Sequence, residues 1–196
     1  NYKCYGLNQW DTSSIKNMEN MFKGCKNFIG NTIETWNTNN VETMSNMFED
    51  CIIFNADLSK WGDKLSKVKT MKNMFNSCIN YQGKGLYEWN TSSIENMEGM
   101  FVNCRSFTGK AVENWDTNNV KNMSYMFEDC IIFIANLSNW SNKLNKVTTM
   151  IDMFNGCINY KGKGLDNWEL NANINMQDMF DNCPKLIIPK WYIKKE

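Results

Sequence analysis

The chain has 196 residues, with Lys plus Arg and Asp plus Glu balanced at 21 each, and it contains no histidine. Charges of both signs are interspersed, so there is no basic stripe of the kind nucleic acid or an anionic membrane surface needs, and no apolar run approaches the roughly 20 residues of a membrane span. Without histidine, general acid–base chemistry falls to carboxylates or lysine, and a tetrahedral zinc site would need close cysteine pairs that the chain lacks.

Residues 1–9 show no charged-then-apolar leader, although a start at Asn1 rather than Met says little about location. From Trp10 onward one phrase returns seven times, Met-x-x-Met-Phe-x-x-Cys, at 18–25, 44–51, 71–78, 97–104, 123–130, 150–157 and 176–183. It contains all fourteen methionines and seven of the eight cysteines. Successive phrase cysteines lie 26, 27, 26, 26, 27 and 26 residues apart, a fixed period that marks a stack of coils. A longer period of 79 residues relates Trp10, Trp89 and Trp168, and Glu-Asp-Cys-Ile-Ile-Phe at 49–54 recurs at 128–133, so a three-coil block was copied. With no Gly/Pro/Ser-rich linker, residues 1–196 read as a single repeat domain: an N-terminal cap at 1–9, seven coils at 10–183, and a C-terminal cap at 184–196.

The second coil shows the unit as Ile33, Trp36, Thr38, Val41, Met44, Met47, Phe48, Cys51 and Phe54. From Val41 to Cys51 the apolar positions fall at i, i+3, i+6, i+7 and i+10, which predicts a short helix with one inward stripe. Thr12-Ser13-Ser14 and Thr91-Ser92-Ser93 are the residue types that cap a helix start. The segment from the residue after Cys to Trp is too short for a second helix, which predicts a short strand near Leu-x-x-Trp. Parallel strands about 4.8 Å apart and helices about 8–10 Å apart would bend the stack with its strand side concave; single helical turns would leave it straighter. One coil buries too few side chains, at about 1.5–3 kcal/mol each, to offset about 1–2 kcal/mol of backbone entropy per residue, so stability must come from neighbouring coils and from caps. Tyr2, Cys4, Tyr5 and Leu7 form the first cap; Leu186, Ile187, Ile188, Trp191, Tyr192 and Ile193 form the second, with Pro184 and Pro189 as the stop.

Phe54-Asn55-Ala56-Asp57-Leu58-Ser59-Lys60-Trp61, the Trp-Asn/Asp-Thr triplets at 36–38, 89–91 and 115–117, and the Met-x-x-Met-Phe phrase resemble the BspA-like repeat family of leucine-rich-repeat type. That family occurs in bacterial surface proteins and lipoproteins, in protists and in large DNA viruses. The resemblance covers nearly the whole chain and implies an α/β solenoid, a leucine-rich-repeat-like right-handed stack of about seven coils with short parallel strands on one side and short helices on the other. It also implies a binding or adhesion module at a cell surface or secreted, with no catalytic residues, cofactor or metal to carry over. Two coils depart from the pattern, reading Trp61-Gly62-Asp63 and Trp140-Ser141-Asn142, and in the seventh Ile174 sits one residue late.

Each phrase cysteine stands a full coil from the next, which favours a column of buried free thiols over a metal or a full set of disulfides, and such thiols suit a reducing compartment. Met and Phe at helical spacing read as core. The tryptophans read as core pillars or as an aromatic ladder suited to sugars. Asn-x-Ser/Thr triplets at Asn90, Asn122, Asn136 and Asn139 are expected by chance in so asparagine-rich a chain. Glu19, Glu49, Glu98 and Glu128 read as a solvated face rather than an active site. What varies while the frame stays constant is the pair of residues between Leu and Trp: Glu34, Thr35, Ser59, Lys60, Tyr87, Glu88, Glu113, Asn114, Ser138, Asn139, Asp166 and Asn167. These are the candidate strand face for a protein or glycan surface, or solvated spacers. A second reading makes the chain a structural or decorating subunit of a large assembly such as a virus particle, assembled in a reducing cytoplasm and touching neighbouring subunits.

Overall fold

The computed structural model describes Cys4 and residues 6–193, so the expected cap residues Tyr2 and Tyr5 lie outside the described residues. The coils stack along one axis, joined by six parallel single-residue bridges, Asn17 to Thr43, Thr43 to Thr70, Thr70 to Asn96, Asn96 to Asn122, Asn122 to Thr149 and Thr149 to Asn175. The bridged residue is the one before the first methionine of each phrase. The expected helix from Val to Cys is absent. Short 3-10 turns at Leu7–Gln9, Asn31–Ile33, Ser59–Lys64, Leu86–Glu88, Lys110–Val112 and Ser138–Trp140 stand where the strands near Leu-x-x-Trp were expected. The layer of helices that would have bent the stack is therefore not present among the described residues.

The phrase folds differently because its third and seventh residues have positive φ in every coil. They are Asn20 and Gly24, Asn46 and Asp50, Asn73 and Ser77, Gly99 and Asn103, Tyr125 and Asp129, Asp152 and Gly156, and Asp178 and Asn182. Left-handed backbone is strained for most L-residues and least so for Gly, Asn and Asp, which fill twelve of these fourteen sites. A residue in that conformation breaks a helix, and two per phrase turn the chain into overlapping three-residue turns, Met47 N–H to the Met44 carbonyl, Glu49 to Asn46 and Cys51 to Phe48. The N–H groups between them point to the next coil. Met44, Asn46, Phe48 and Asp50 donate to the carbonyls of Thr70, Lys72, Met74 and Asn76 at 3.0, 2.8, 2.9 and 2.9 Å. The same four-bond row recurs at each coil junction from Met18 to Asp181. The remaining N–H is taken by a side chain, Glu98 N–H to Asn96 Oδ1 at 2.8 Å or Ser124 N–H to Asn122 Oδ1 at 2.9 Å. From the second phrase to the fifth no backbone donor is left over, as a buried backbone requires.

Tyr125 (φ 62°) has neither the small side chain nor the local hydrogen bonding that this conformation favours. Tyr125→Asn is expected to stabilise the chain by about 1 kcal/mol, read as a higher urea midpoint with an unchanged slope.

Inside the coils, side chains pile up rung over rung. Phe48, Phe75, Phe101, Phe127 and Phe154 are stacked in sequence at centroid distances of 5.6, 5.6, 5.9 and 5.6 Å. The tryptophans form a parallel column, with Trp61 to Trp89 at 6.4 Å, Trp89 to Trp115 at 6.1 Å and Trp140 to Trp168 at 6.3 Å. Each indole Nε1 donates back to the carbonyl three residues before the preceding tryptophan, as in Trp115 to Leu86 at 2.9 Å and Trp140 to Val112 at 3.1 Å. The six tryptophans from Trp36 to Trp168 are buried, which settles them as core pillars; Trp10, at the open end, is exposed. Glycine is required where coils approach most closely: a Cβ on Gly109 (φ 80°) would run into the Phe133 ring, and one on Gly30 (φ 98°) into Phe54 and Ala56.

The expected cysteine column exists from Cys51 to Cys157, all buried and unbridged, while Cys25 is exposed and Cys4 and Cys183 are half-buried. Its chemistry is more specific than apolar filling. Each thiol from Cys51 to Cys183 donates to the phrase phenylalanine carbonyl of the coil before, for example Cys78 Sγ to Phe48 O and Cys104 Sγ to Phe75 O, both at 3.0 Å. The hydroxyls of the Trp-Asn/Asp-Thr triplets also reach between coils rather than capping helices. Thr12 donates to Asn37 O, Thr38 to Lys64 O, Thr91 to Asp116 O and Thr117 to Lys143 O. In the third and sixth coils, which lack this threonine, the backbone substitutes: Asn90 N–H donates to Gly62 O and Glu169 N–H to Ser141 O, both at 2.9 Å.

Candidate binding face

Ten of the twelve candidate residues sit on the 3-10 turns or the positions that follow them, and Asp166 and Asn167 sit on a plain turn of the seventh coil, so the face is a column of turns and not a strand face. Left-handed Gly30, Gly85 and Gly109 start the turns of the second, fourth and fifth coils. The buried Leu, Ile or Val and the buried Trp of each turn leave the two residues between them facing out.

The structure divides these twelve by what they do. Glu34 and Glu113, equivalent positions of the copied block, spend their carboxylates on architecture: Asp57 N–H donates to Glu34 Oε1 at 3.1 Å and Asn136 N–H to Glu113 Oε1 at 2.8 Å. Asn139 Nδ2 donates to Asn114 Oδ1 at 2.7 Å, tying the fifth coil to the sixth. Ser59 and Ser138 are half-buried. The exposed remainder is Thr35, Lys60, Tyr87, Glu88, Asp166 and Asn167. The Glu88 side chain beside Tyr87 raises its phenol above the ordinary range by hydrogen bonding and by charge. The first coil contributes a pair that the sequence reading passed over, Asn8 and Gln9, both exposed on the turn Leu7–Gln9. Their place between Leu7 and Trp10 was the available signal.

On the phrase side, charge is used along the stack. The residues before the bridges alternate as Lys16, Glu42, Lys69, Glu95 and Lys121, with Lys121 Nζ 2.8 Å and Lys69 Nζ 3.5 Å from the Glu95 carboxylate. Lys121 first, then Lys69, holds the Glu95 carboxyl below its usual range. Exposed pairs of this kind add little stability, but alternating signs penalise a slip of one coil. Glu49 and Glu98 pair with Lys23 and Lys72 of the preceding coil, both at 2.9 Å. These two carboxylates and Glu128 are half-buried, which corrects the expectation of a solvated face; only Glu19 of the four is exposed. Burial, with Asp129 and Asp152 nearby, pushes the Glu128 carboxyl up. Among the described residues no group of three or more Cys, Asp or Glu is arranged to hold a metal ion. No helix among them is long and apolar enough to cross a membrane.

Rungs that recur every 26 or 27 residues, each hydrogen-bonded to the next, define a repeat protein of stacked coils. The chain belongs to the family described as "Mycoplasma protein of unknown function, DUF285", which matches residues 1–84 and again residues 69–191. Among solved structures, the chain is similar at 13% identity to a leucine-rich repeat protein from Bacteroides ovatus, with a TM-score of 0.25 over 87% of this chain and 69% of that one. Among curated proteins nothing matches.

Proposed function

We propose that the chain is a non-catalytic binding or adhesion module, a BspA-like, leucine-rich-repeat-like right-handed solenoid at a cell surface or secreted, whose turn column engages a protein or glycan. One observation carries this reading. The threonines, thiols and indoles of the unit, with asparagines such as Asn40 and Asn119, are committed to holding coils together, whereas Thr35, Lys60, Tyr87, Glu88, Asp166 and Asn167 change from coil to coil and stay exposed. Variable exposed residues carried on a constant frame are how stacked repeats build extended binding surfaces. The test is a glycan array and a panel of purified surface proteins probed with the chain and with Lys60→Ser/Tyr87→Ser. Exposed polar and aromatic anchors at the centre of a contact dominate its affinity, so the double variant should bind a true ligand about tenfold more weakly while unfolding at the same urea midpoint. Binding that is unchanged by both substitutions would overturn the assignment of this face.

A second reading, a strut or decorating subunit of an assembly such as a virus particle, is favoured by the buried, unbridged thiols, which suit assembly in a reducing cytoplasm. Under it the chain binds no array ligand and is found in a fixed ratio to a capsid protein.

A further inference from the structure

Charges that are interspersed along the chain are sorted by the winding of the coils. The segments that follow the phrase cysteines, at 26–32, 52–57, 79–85, 105–111, 131–136, 158–164 and 184–190, hold seven Lys, one Arg and a single acid, Asp57. The phrases themselves hold nine Asp and Glu and two Lys. Bonds between coils set the post-cysteine segments side by side as one face. Asn55 N–H donates to Ile29 O, Asn80 to Ile52, Ser106 to Ile79 and Ile134 to Thr108, at 3.1, 3.2, 3.1 and 2.9 Å. Asn159 Nδ2 to Ile131 O at 2.7 Å and Ile187 N–H to Lys161 O at 3.4 Å carry the face through the sixth and seventh coils. A chain with no net charge thus has a basic side and an acidic one, which corrects the expectation of mixed signs without a basic stripe.

All eight cations of this face are exposed, and none is in an ion pair among the described residues. The same segments carry seven of the ten exposed large apolar side chains among the described residues, including Ile134 at 47% and Ile158 at 46%, whereas the phrases carry none. The copied block presents this apolar patch twice, in the second coil and again in the fifth, with Arg105 and Lys110 of the fourth coil between. Apolar side chains gathered on one exposed face, with polar residues around them, mark a surface that a partner covers.

We propose that this post-cysteine face docks on a lipid bilayer rich in anionic headgroups. The isoleucines enter the boundary between headgroups and acyl chains, and Lys84, Arg105, Lys110, Lys161 and Lys163 meet the phosphates around them. Lysine is a point charge on a flexible stem and suits a fluid anionic layer, whereas paired contacts to a rigid phosphate geometry call for arginine, of which the face has one. Nucleic acid would neutralise the same cations but leave the isoleucines in water, and no exposed aromatic side chain lies on the face among the described residues to stack on a base. The acidic phrase side of a second copy also matches the charge, but it has no exposed large apolar side chain for the isoleucines to pack on. A bilayer satisfies both kinds of side chain. The proposal does not depend on what the turn column binds.

The experiment is co-sedimentation of the chain with vesicles of equal parts phosphatidylglycerol and phosphatidylcholine, and with vesicles of phosphatidylcholine alone. The chain should bind the anionic vesicles about tenfold or more tightly than the neutral ones, and added salt should weaken that binding. Lys161→Glu/Lys163→Glu and Ile132→Ser/Ile134→Ser should each lose about tenfold, and Ile134→Ser alone stands as the readout should the isoleucine pair not fold. Lys67→Glu/Lys146→Glu makes the same change of net charge outside the face, where these lysines bond to Asn40 and Asn119, and should bind as the unaltered chain does. Urea midpoints show that each variant is folded. The proposal is overturned by equal binding to both kinds of vesicle, by equal losses for the two lysine pairs, or by binding indifferent to the isoleucines. Capture of duplex DNA, or self-association of the chain, under conditions where anionic vesicles are not bound would overturn it in favour of those partners.

Discussion

Raising the pH from 7 to 10 is expected to unfold this protein at room temperature, because its inner thiols cannot ionise in place. Burial pushes the thiols of Cys78, Cys104, Cys130 and Cys157 well above the ordinary range, and that of Cys51 to about 12. In the unfolded chain the same groups ionise near pH 8.5. Above that pH the unfolded state has given up protons that the folded state retains, so stability falls as pH rises; below about pH 8 both states hold them and these groups contribute no slope. At pH 10, about 1.5 units past the unfolded value, each of the four most buried thiols costs about 2 kcal/mol, and the four together about 8 kcal/mol. A domain has only about 5–15 kcal/mol to lose. Urea midpoints followed by tryptophan fluorescence should be flat from pH 6 to 8 and collapse between pH 9 and 10, with thiolate absorbance appearing together with unfolding. Thiolate absorbance at pH 9 with native fluorescence would show the column to be open to solvent, contrary to the structure.

Phe101→Ala should cost about 3–5 kcal/mol, the range for emptying a fully buried aromatic site. Phe101 stacks on Phe107 at 4.2 Å within its coil and on Phe75 and Phe127 at 5.6 and 5.9 Å in the coils on either side, so its loss opens the column on three sides. Phe22 holds the same place in the first coil, where only one neighbouring coil packs on it, and Phe22→Ala should cost less. The difference tests whether stability resides in the junctions between coils, as nearest-neighbour behaviour requires. In Phe101→Ala the weak point lies mid-stack, so the two halves should begin to unfold separately and the urea slope should drop. Equal costs at both positions with unchanged slopes would show a core that behaves as one block.

The left-handed sites explain why a helix was the wrong expectation for the phrase. Spacing of i, i+3, i+6 and i+7 is shared by an α-helix and by consecutive three-residue turns, since both bring every third or fourth side chain to one side. The composition of the polar positions separated them: Asn20 and Gly24, Asn46 and Asp50, Gly99 and Asn103 are poor interior helix residues and good left-handed ones. Recurring at the same two places in seven phrases, they were a legible signal. The candidate face was legible as well, because the frame around Leu and Trp is so regular that Lys60, Tyr87 and Glu88 stand out by varying. That Glu34 and Glu113 are taken up by backbone N–H groups of the next coil could not be read, since those bonds join residues 23 apart in the chain.

The amino-acid sequence alone determined the period, the order of rungs and the identity of the buried column, because a side chain that recurs at a constant interval can be buried only by its own copies. Tertiary structure decided how each coil is wound and which way its bonds point. Two backbones can present the same apolar side chains inward, and the choice between them rests on whether N–H and C=O groups are satisfied within one coil or by the coil beside it. Here the neighbour satisfies them, with Met, Phe and two left-handed residues of each of the first six phrases donating forward, and a bond of that kind exists only once the next coil is in place.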